Sequence, residues 1–271
     1  MGRDSTILPW SSYWITGGSS GIGAALAREL AAPSITLYLS GRSPQRLDAV
    51  AQECRQRGAS VHTIPFDMAD STARAHAVAE VLAGNPPPEA LINNAGLSQR
   101  STAAETDFAV DRTLMEVDFL GAVEITKALL PSMLERGSGC IVAVSSVAAL
   151  APVPLRSSYN AAKAAQLAFF GTLANELART PVSVHVAIPG FVKTAVSHNA
   201  LTGTGVASGV MDPHQSAGID GKTAARDILQ GIATGRMRIY TGLTPKLRVM
   251  IFLARRVPGL LDRILQHAEV R

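Results

Sequence analysis

The sequence predicts an α/β protein built on a doubly wound parallel sheet in a single domain, and three observations carry that reading. Short β-rich runs alternate with longer helical patterns, the order that gives a parallel sheet covered by helices on both faces. A glycine-rich segment, residues 16–23, falls between the first β-rich run and the first helical pattern. The 271 residues are 47% hydrophobic and 17% charged, which suits one large domain with a substantial core and excludes a disordered chain or a coiled-coil rod.

The elements follow in order. Residues 13–16 (Tyr-Trp-Ile-Thr) form the first strand, and residues 21–32 a helix with Ile22, Ala25, Leu26 and Leu30 on one face. Residues 35–40 are the second strand. Residues 44–57 are the second helix, opened by Ser43 as N-cap and Pro44 at its first position. A third strand spans 61–66 and a helix 71–83, which Gly84-Asn85-Pro86-Pro87-Pro88 stops. Buried strands at 90–93 and 140–145 enclose a long helix over about 108–136, and a helix at 157–179 leads to a strand at 182–188. Residues 197–220, rich in Gly, Ser, Thr and Ala, have little periodicity and read as a lid or a mobile binding loop. A helix at 221–235, a last strand at 238–241 and a broken amphipathic tail from Pro245 complete the chain, with no repeat or linker to divide it.

Between the first strand and helix, Thr16-Gly17-Gly18-Ser19-Ser20-Gly21-Ile22-Gly23 lets the backbone turn tightly and lets a phosphate approach helical N–H groups at the positive end of the dipole. The end of the second strand selects the cofactor: an acid there bonds the ribose of NAD, whereas a basic side chain accommodates the 2′-phosphate of NADP. This chain reads Leu39-Ser40-Gly41-Arg42-Ser43, with Arg42 placed to clamp a phosphate. NADP(H) is favoured, with NAD(H) the alternative.

Tyr159 and Lys163 stand four apart on one helical face. A tyrosine hydroxyl titrates near 10 when unperturbed, and a nearby ammonium group favours the phenolate, which makes an acid–base at neutral pH. Ser146 lies thirteen residues before Tyr159, at the carboxyl end of the fifth strand, where open α/β sheets bind ligands and where its hydroxyl can hold a carbonyl oxygen. The joint occurrence of these three residues downstream of a nucleotide turn carries the weight.

With these motifs in order, the stretch from about 12 to 242 resembles the short-chain dehydrogenase/reductase family, in its short single-domain, NADP-preferring branch. Residues 16–23 look like its TGxxxGIG turn, which puts Gly17, Ser19, Ser20, Gly21, Ile22 and Gly23 against a cofactor. Asp67, followed by Met68, resembles the acid that touches adenine, and Asn93-Asn94-Ala95-Gly96 the segment beneath the cofactor. Pro189-Gly190-Phe191-Val192-Lys193-Thr194 resembles the stretch beside the nicotinamide, with Pro189, Gly190, Val192 and Thr194 as contacts, and Gly41-Arg42-Ser43 the pattern of NADP-preferring members. Ser146, Tyr159 and Lys163 match the catalytic serine, tyrosine and lysine. The resemblance implies a Rossmann-type sheet of about seven strands and hydride transfer between nicotinamide and a carbonyl or secondary alcohol. Tyr159 would act as acid, Lys163 would lower its pKa and hold the ribose, and Ser146 would polarise the carbonyl.

One position departs from the family. Where its central helix carries an asparagine in a proton relay, this chain reads Glu116-Val117-Asp118-Phe119-Leu120-Gly121. Asp118 keeps the acceptor and loses the amide donor; ionised, it pairs with Lys163, and protonated by burial it still donates one hydrogen bond. A second reading follows from it, a non-catalytic NADP-binding scaffold or redox sensor on the same fold. An epimerase or dehydratase of the wider family is disfavoured, because only some thirty residues follow the final strand.

The remaining features bound the function. Cys54 and Cys140 exclude a disulfide scaffold and read as buried thiols, and His62, His76, His185, His198, His214 and His267 have no metal-site spacing. The net charge of +4, with a pI near 9.3, comes without a Lys/Arg block, so no nucleic-acid partner is expected. The first ten residues carry no apolar signal region and no stretch approaches roughly 18 apolar residues, so a cytoplasmic, reduced setting is expected. Trp10 and Trp14 should pack against the sheet, and Lys193 either adds charge near the cofactor phosphates or is solvated. Leu167, Phe169, Phe170 and Leu173 are a candidate surface for a homodimer or homotetramer. The catalytic unit is read as 1–244, with a substrate loop at about 191–220 for an apolar or amphipathic compound. Residues 245–271 form an extension carrying Lys246, Arg248, Arg255, Arg256, Arg263 and Arg271 against Asp262 and Glu269. It reads as two short helices folded over the cleft or onto a neighbouring subunit, or as a peripheral contact with an anionic membrane.

Overall fold

The computed structural model describes residues 8–266 except Asn85. Residues 1–7, Asn85 of the helix stop, and His267, Glu269 and Arg271 of the tail lie outside the described residues. Seven parallel strands form one sheet in the order β3-β2-β1-β4-β5-β6-β7: β1 Ser12–Thr16, β2 Thr36–Gly41, β3 Ser60–Pro65, β4 Ala90–Asn93, β5 Gly139–Val144, β6 Val182–Pro189 and β7 Arg238–Thr241. Each agrees with its sequence expectation to within a residue or so at either end. The order reverses between β1 and β4, whose registers join at Ile15 and Ile92, so the loops leaving their carboxyl ends diverge and open a crevice.

The alternation within β1 divides the core in two. Tyr13 and Ile15 point to one face, with Leu26 of α1 (Gly21–Leu30), Leu47 and Val50 of α2 (Pro44–Arg55) and Ile228 of α8 (Gly221–Ala233). Trp14 points to the other, with Val81 of α3 (Ser71–Leu82), Ile125 and Leu129 of α5 (Gly121–Arg136) and Phe170 of α6 (Ser157–Glu176). Trp14 is fully buried, its Nε1 donating to Ser40 Oγ at 2.6 Å, and Trp10 packs on the first cluster. Both tryptophans are therefore packing residues. Ser43 caps α2 by accepting from Arg46 N–H at 3.3 Å, worth about 1 kcal/mol, and Pro44 holds the first helical position as read.

Three expectations change. The helix read over 108–136 is α4 (Phe108–Met115) and α5 joined by a π turn, Glu116–Leu120. A π turn adds a residue to the helical repeat and rotates the helix beyond it. The buried Arg74 grips both sides of this turn, with Nη2 2.5 Å from Glu116 Oε1 and Nε 2.7 Å from Glu124 Oε2, and it also donates to the Met68 carbonyl. Second, Phe170 and Leu173 are buried in this chain's own core, so the apolar face offered for assembly shrinks to the partly buried Leu167 and Phe169. Third, the stretch 197–220 is tied down. It contains α7 (Pro213–Ser216), capped by Asp212, and bridges join Gln99 to Leu201 and Val192 to Ile219. An ion pair joins Arg156 to Asp212 at 3.0 Å. The tail breaks at Val257 as Pro258-Gly259 foretells, into α9 (Pro245–Arg256) and α10 (Pro258–Gln266). No helix among the described residues is long and apolar enough to cross a membrane.

Candidate active site

A cleft of about 550 Å3 runs along the carboxyl ends of the central strands, inside the size range of small-molecule and cofactor sites. Its floor is the turn after β1. Gly17 has φ +66°, and a Cβ there would stand 2.8 Å from Ala95 Cα. A Cβ on Gly23 would fall 2.4 Å from both the Gly17 carbonyl and Asn94 Nδ2, so neither position admits a side chain. The turn is clamped to the β4 loop. Thr16 Oγ1 accepts from the N–H groups of Asn94 at 3.0 Å and Ala95 at 3.1 Å, while Asn94 Nδ2 donates to the carbonyls of Thr16 and Gly17. Ser20, the N-cap of α1, makes no side-chain cap bond, so the first N–H groups of this helix are left for an anion beside the cleft. A bare glycine floor, a helix N-terminus and basic side chains on one wall fit the diphosphate of a dinucleotide.

That basic wall follows β2. Arg42, exposed, lines the cleft with Ser43 and with Arg46, which sits in the first turn of α2. Phe66, Asp67 and the buried Met68 follow β3 on the same wall, and Asp67 Oδ1 accepts from Ala69 N–H at 2.9 Å.

Ser146, Tyr159 and Lys163 all line the opposite half of the cleft. Ser146 leaves β5 and caps a single 3-10 turn, its Oγ accepting from Ala148 N–H at 3.2 Å. Tyr159, partly buried, stands in the first turn of α6. Lys163 is buried one helical turn on, with Nζ 5.9 Å from the centre of the Tyr159 ring and donating to the Val144 carbonyl at 3.1 Å and to Gln166 Oε1 at 3.5 Å. Ser145 Oγ donates to the Lys163 carbonyl at 2.9 Å and pins α6 to the end of β5.

Asp118 sits behind this group, wholly buried. Oδ1 accepts from Leu97 N–H at 2.8 Å and lies 3.8 Å from Lys163 Nζ, while Oδ2 has no hydrogen-bond partner among the described residues. Burial pushes its carboxyl up to about 6, against the opposing pull of Lys163 and the Leu97 amide.

The cleft wall thus includes Gly17, Ser19, Ser20, Gly21, Ile22, Arg42, Ser43, Asp67, Met68, Asn94, Ala95, Gly96, Ser146, Tyr159, Lys163, Pro189, Gly190, Val192 and Thr194. Gly23 and Asp118 stand one layer behind it, and Lys193 is exposed outside it. Sequence reasoning passed over Arg46, Ser145 and Gln215, whose Nε2 donates to Thr194 Oγ1 at 3.1 Å. Arg46 was legible as a basic residue in the first turn of the helix that Ser43 and Pro44 open. Cys54 and Cys140 are buried, with burial pushing the Cys140 thiol up to about 12. Among the described residues no cluster of His, Cys, Asp and Glu could hold a metal ion.

A crevice at the strand-order reversal, floored by bare glycines and walled by a tyrosine and a buried lysine, defines a dinucleotide-binding α/β protein. The model of the short chain dehydrogenase family matches residues 12–204. The dehydrogenase/reductase SDR family member 7B of Bos taurus is 37% identical over 257 residues, covering 93% of this chain and 79% of that protein. The SDR family protein 7-like of Drosophila melanogaster is 37% identical over 229 residues, covering 83% and 70%. Among solved structures, a short-chain dehydrogenase from Sphingobium yanoikuyae in complex with NADPH superposes with a TM-score of 0.78 at 25% identity, over 95% of this chain and 98% of that one. One from Burkholderia phymatum in complex with NAD superposes at 0.82 and 22%, over 92% and 94%, a likeness of fold alone. The chain belongs to the short-chain dehydrogenase/reductase family and is an NAD(P)-dependent oxidoreductase.

Proposed function

We propose that this chain interconverts a carbonyl compound and its secondary alcohol, with NADP(H) preferred over NAD(H). The observation that carries the reading is the facing of Lys163 Nζ and the Tyr159 ring, 5.9 Å apart, on the wall of the glycine-floored cleft. The nicotinamide, when bound, supplies or accepts the hydride. In reduction the Tyr159 hydroxyl gives its proton to the substrate oxygen, and Ser146 Oγ donates a hydrogen bond to the same oxygen. Lys163, held by Val144 and Gln166, presents its Nζ to the phenol ring. Gly17, Ser19 to Ile22 and Asn94 to Gly96 cradle the diphosphate and ribose, Asp67 and Met68 the adenine, and Pro189, Gly190, Val192 and Thr194 the nicotinamide.

Arg42 supports the NADP preference, with Arg46 on the same wall doubling the charge available to a 2′-phosphate. The substrate loop at 191–220 exposes Val206, Val210 and Met211, which suits an apolar or amphipathic substrate. Residues 1–244 form the catalytic unit, a homodimer or homotetramer in a cytoplasmic setting. The extension from 245 packs through Leu247, Ile251 and Leu261 and turns Val249, Phe252, Leu260 and Ile264 outward among arginines, which favours peripheral contact with anionic lipid. Equal pelleting with phosphatidylserine vesicles of the full chain and of a Val249→Ser/Phe252→Ser/Ile264→Ser variant would exclude that contact.

A panel of ketones, aldehydes and secondary alcohols followed at 340 nm with NADPH, NADH and their oxidised forms tests the activity. Tyr159→Phe should remove turnover and leave NADPH binding intact; turnover that survives it refutes the proposed acid. NADPH binding by the parent with no turnover across the panel would instead favour the scaffold reading, whose one support is Asp118.

A further inference from the structure

The helix that carries Tyr159 and Lys163 begins without a cap of its own. Arg156 stands at the N-cap of α6 and makes no side-chain capping bond; its guanidinium turns to Asp212 instead. The N–H groups of a first helical turn have no carbonyl within the helix to accept them. Gln99, fully buried and nearly sixty residues earlier in the chain, supplies the acceptor. Its Oε1 accepts from Ser158 N–H at 3.0 Å and from Tyr159 N–H at 3.4 Å. Its Nε2 donates to Thr106 Oγ1 at 3.0 Å, and that hydroxyl donates onward to the Thr102 carbonyl. The chemistry of these partners sets the orientation of the amide, because reversing it would aim Nε2 at two N–H donors.

The same short segment holds the substrate loop. Leu201 N–H donates to the Ser98 carbonyl and Arg100 N–H to the Leu201 carbonyl, both at 2.8 Å, which makes Gln99 and Leu201 bridge partners. Ser101 N–H donates to the Leu155 carbonyl at 3.1 Å. Leu155 has φ +65°, a left-handed conformation costly for a branched side chain, immediately before the helix begins. Both the start of α6 and one arm of the substrate loop thus hang on residues 98–101.

We propose that Gln99 is a positioning residue for the reaction: it caps α6 from a distance, fixes the placement of Tyr159 in the cleft, and couples that placement to the substrate loop through Leu201. The proposal rests on Tyr159 acting as the acid, so its test includes a readout independent of turnover. In the full-length protein, Gln99→Met removes the acceptor at nearly constant volume. Gln99→Glu keeps acceptor oxygens for the helix amides, and the Thr106 and Ser101 hydroxyls can turn to donate to it.

Hydrogen exchange read on peptides covering 157–163 and 199–203 should speed about tenfold or more in Gln99→Met, the scale of a lost buried hydrogen bond, and return most of the way in Gln99→Glu. NADPH binding should stay within about twofold of the parent in both, since the diphosphate cradle is untouched, and serves as the check on folding. With any ketone the parent reduces, kcat should fall about tenfold in Gln99→Met, with the KM for NADPH unchanged, and recover in Gln99→Glu. Unchanged exchange at 157–163 in Gln99→Met, or a Gln99→Glu variant no better than Gln99→Met, overturns the proposal. If Gln99→Met loses NADPH binding, Gln99→Asn, whose shorter side chain draws back from the helix amides, decides by the same exchange criterion. A parent that turns over no ketone, aldehyde or secondary alcohol sinks the Tyr159 reading, and exchange still decides the role of Gln99.

Discussion

Replacing Asp118 by asparagine should stabilise the protein at neutral pH and do little in acid. The carboxyl is wholly buried, with one oxygen satisfied by Leu97 N–H and 3.8 Å from Lys163 Nζ, and the other without a partner among the described residues. Burial outweighs the attraction of the lysine and lifts the carboxyl from its ordinary 3.8 to about 6. The folded protein therefore holds this proton more tightly than the unfolded chain does. Its contribution to stability is full below about pH 4 and is lost as pH rises through about 6, a change of about 3 kcal/mol. Asparagine does not titrate, so the gap between Asp118→Asn and the parent should open from its pH 4 value by about 3 kcal/mol at pH 8. At roughly 2–4 °C per kcal/mol for a domain of this size, thermal unfolding across that range resolves it, and urea unfolding gives the free energy directly. A stability difference independent of pH between 4 and 8, or one that moves against the variant as pH rises, refutes the reasoning. The pH–rate profile should also move to lower pH in Asp118→Asn, because the ammonium charge facing the phenol is no longer offset by a carboxylate.

Two further outcomes are expected at the cleft walls. Arg42→Ala should raise the KM for NADPH about tenfold or more, the range of a charged hydrogen bond, and leave the KM for NADH within about twofold; equal effects on both would remove the case for a 2′-phosphate site. Thr16→Val keeps the shape of a fully buried side chain but leaves the Asn94 and Ala95 N–H groups without an acceptor. It should cost about 2–4 kcal/mol in urea unfolding and weaken binding of either nucleotide, and a neutral result would show that the clamp on the glycine turn is dispensable.

Much of the fold and of the site was legible because it is written in local patterns. The seven strands, the Ser43 cap with Pro44 behind it, the glycine turn and the break at Pro258 are each set by a few consecutive residues and the backbone conformations they allow. Tyr159 and Lys163 were legible as a pair because four residues of helix put both on one face. Local pattern was thus enough for the parallel sheet, the nucleotide turn and the chemistry offered beside it.

How that chemistry is held depends on the folded arrangement. Asp118 owes its raised carboxyl to burial behind a π turn braced by Arg74, more than forty residues earlier, and beneath Gly96. The cap of the catalytic helix comes from Gln99, the brace on the glycine turn from Asn94, and the core rather than a partner claims Phe170 and Leu173. These facts depend on desolvation and on hydrogen bonds between segments far apart in the chain. Neither property exists until the sheet order brings those segments together, so no periodicity in the sequence can announce them.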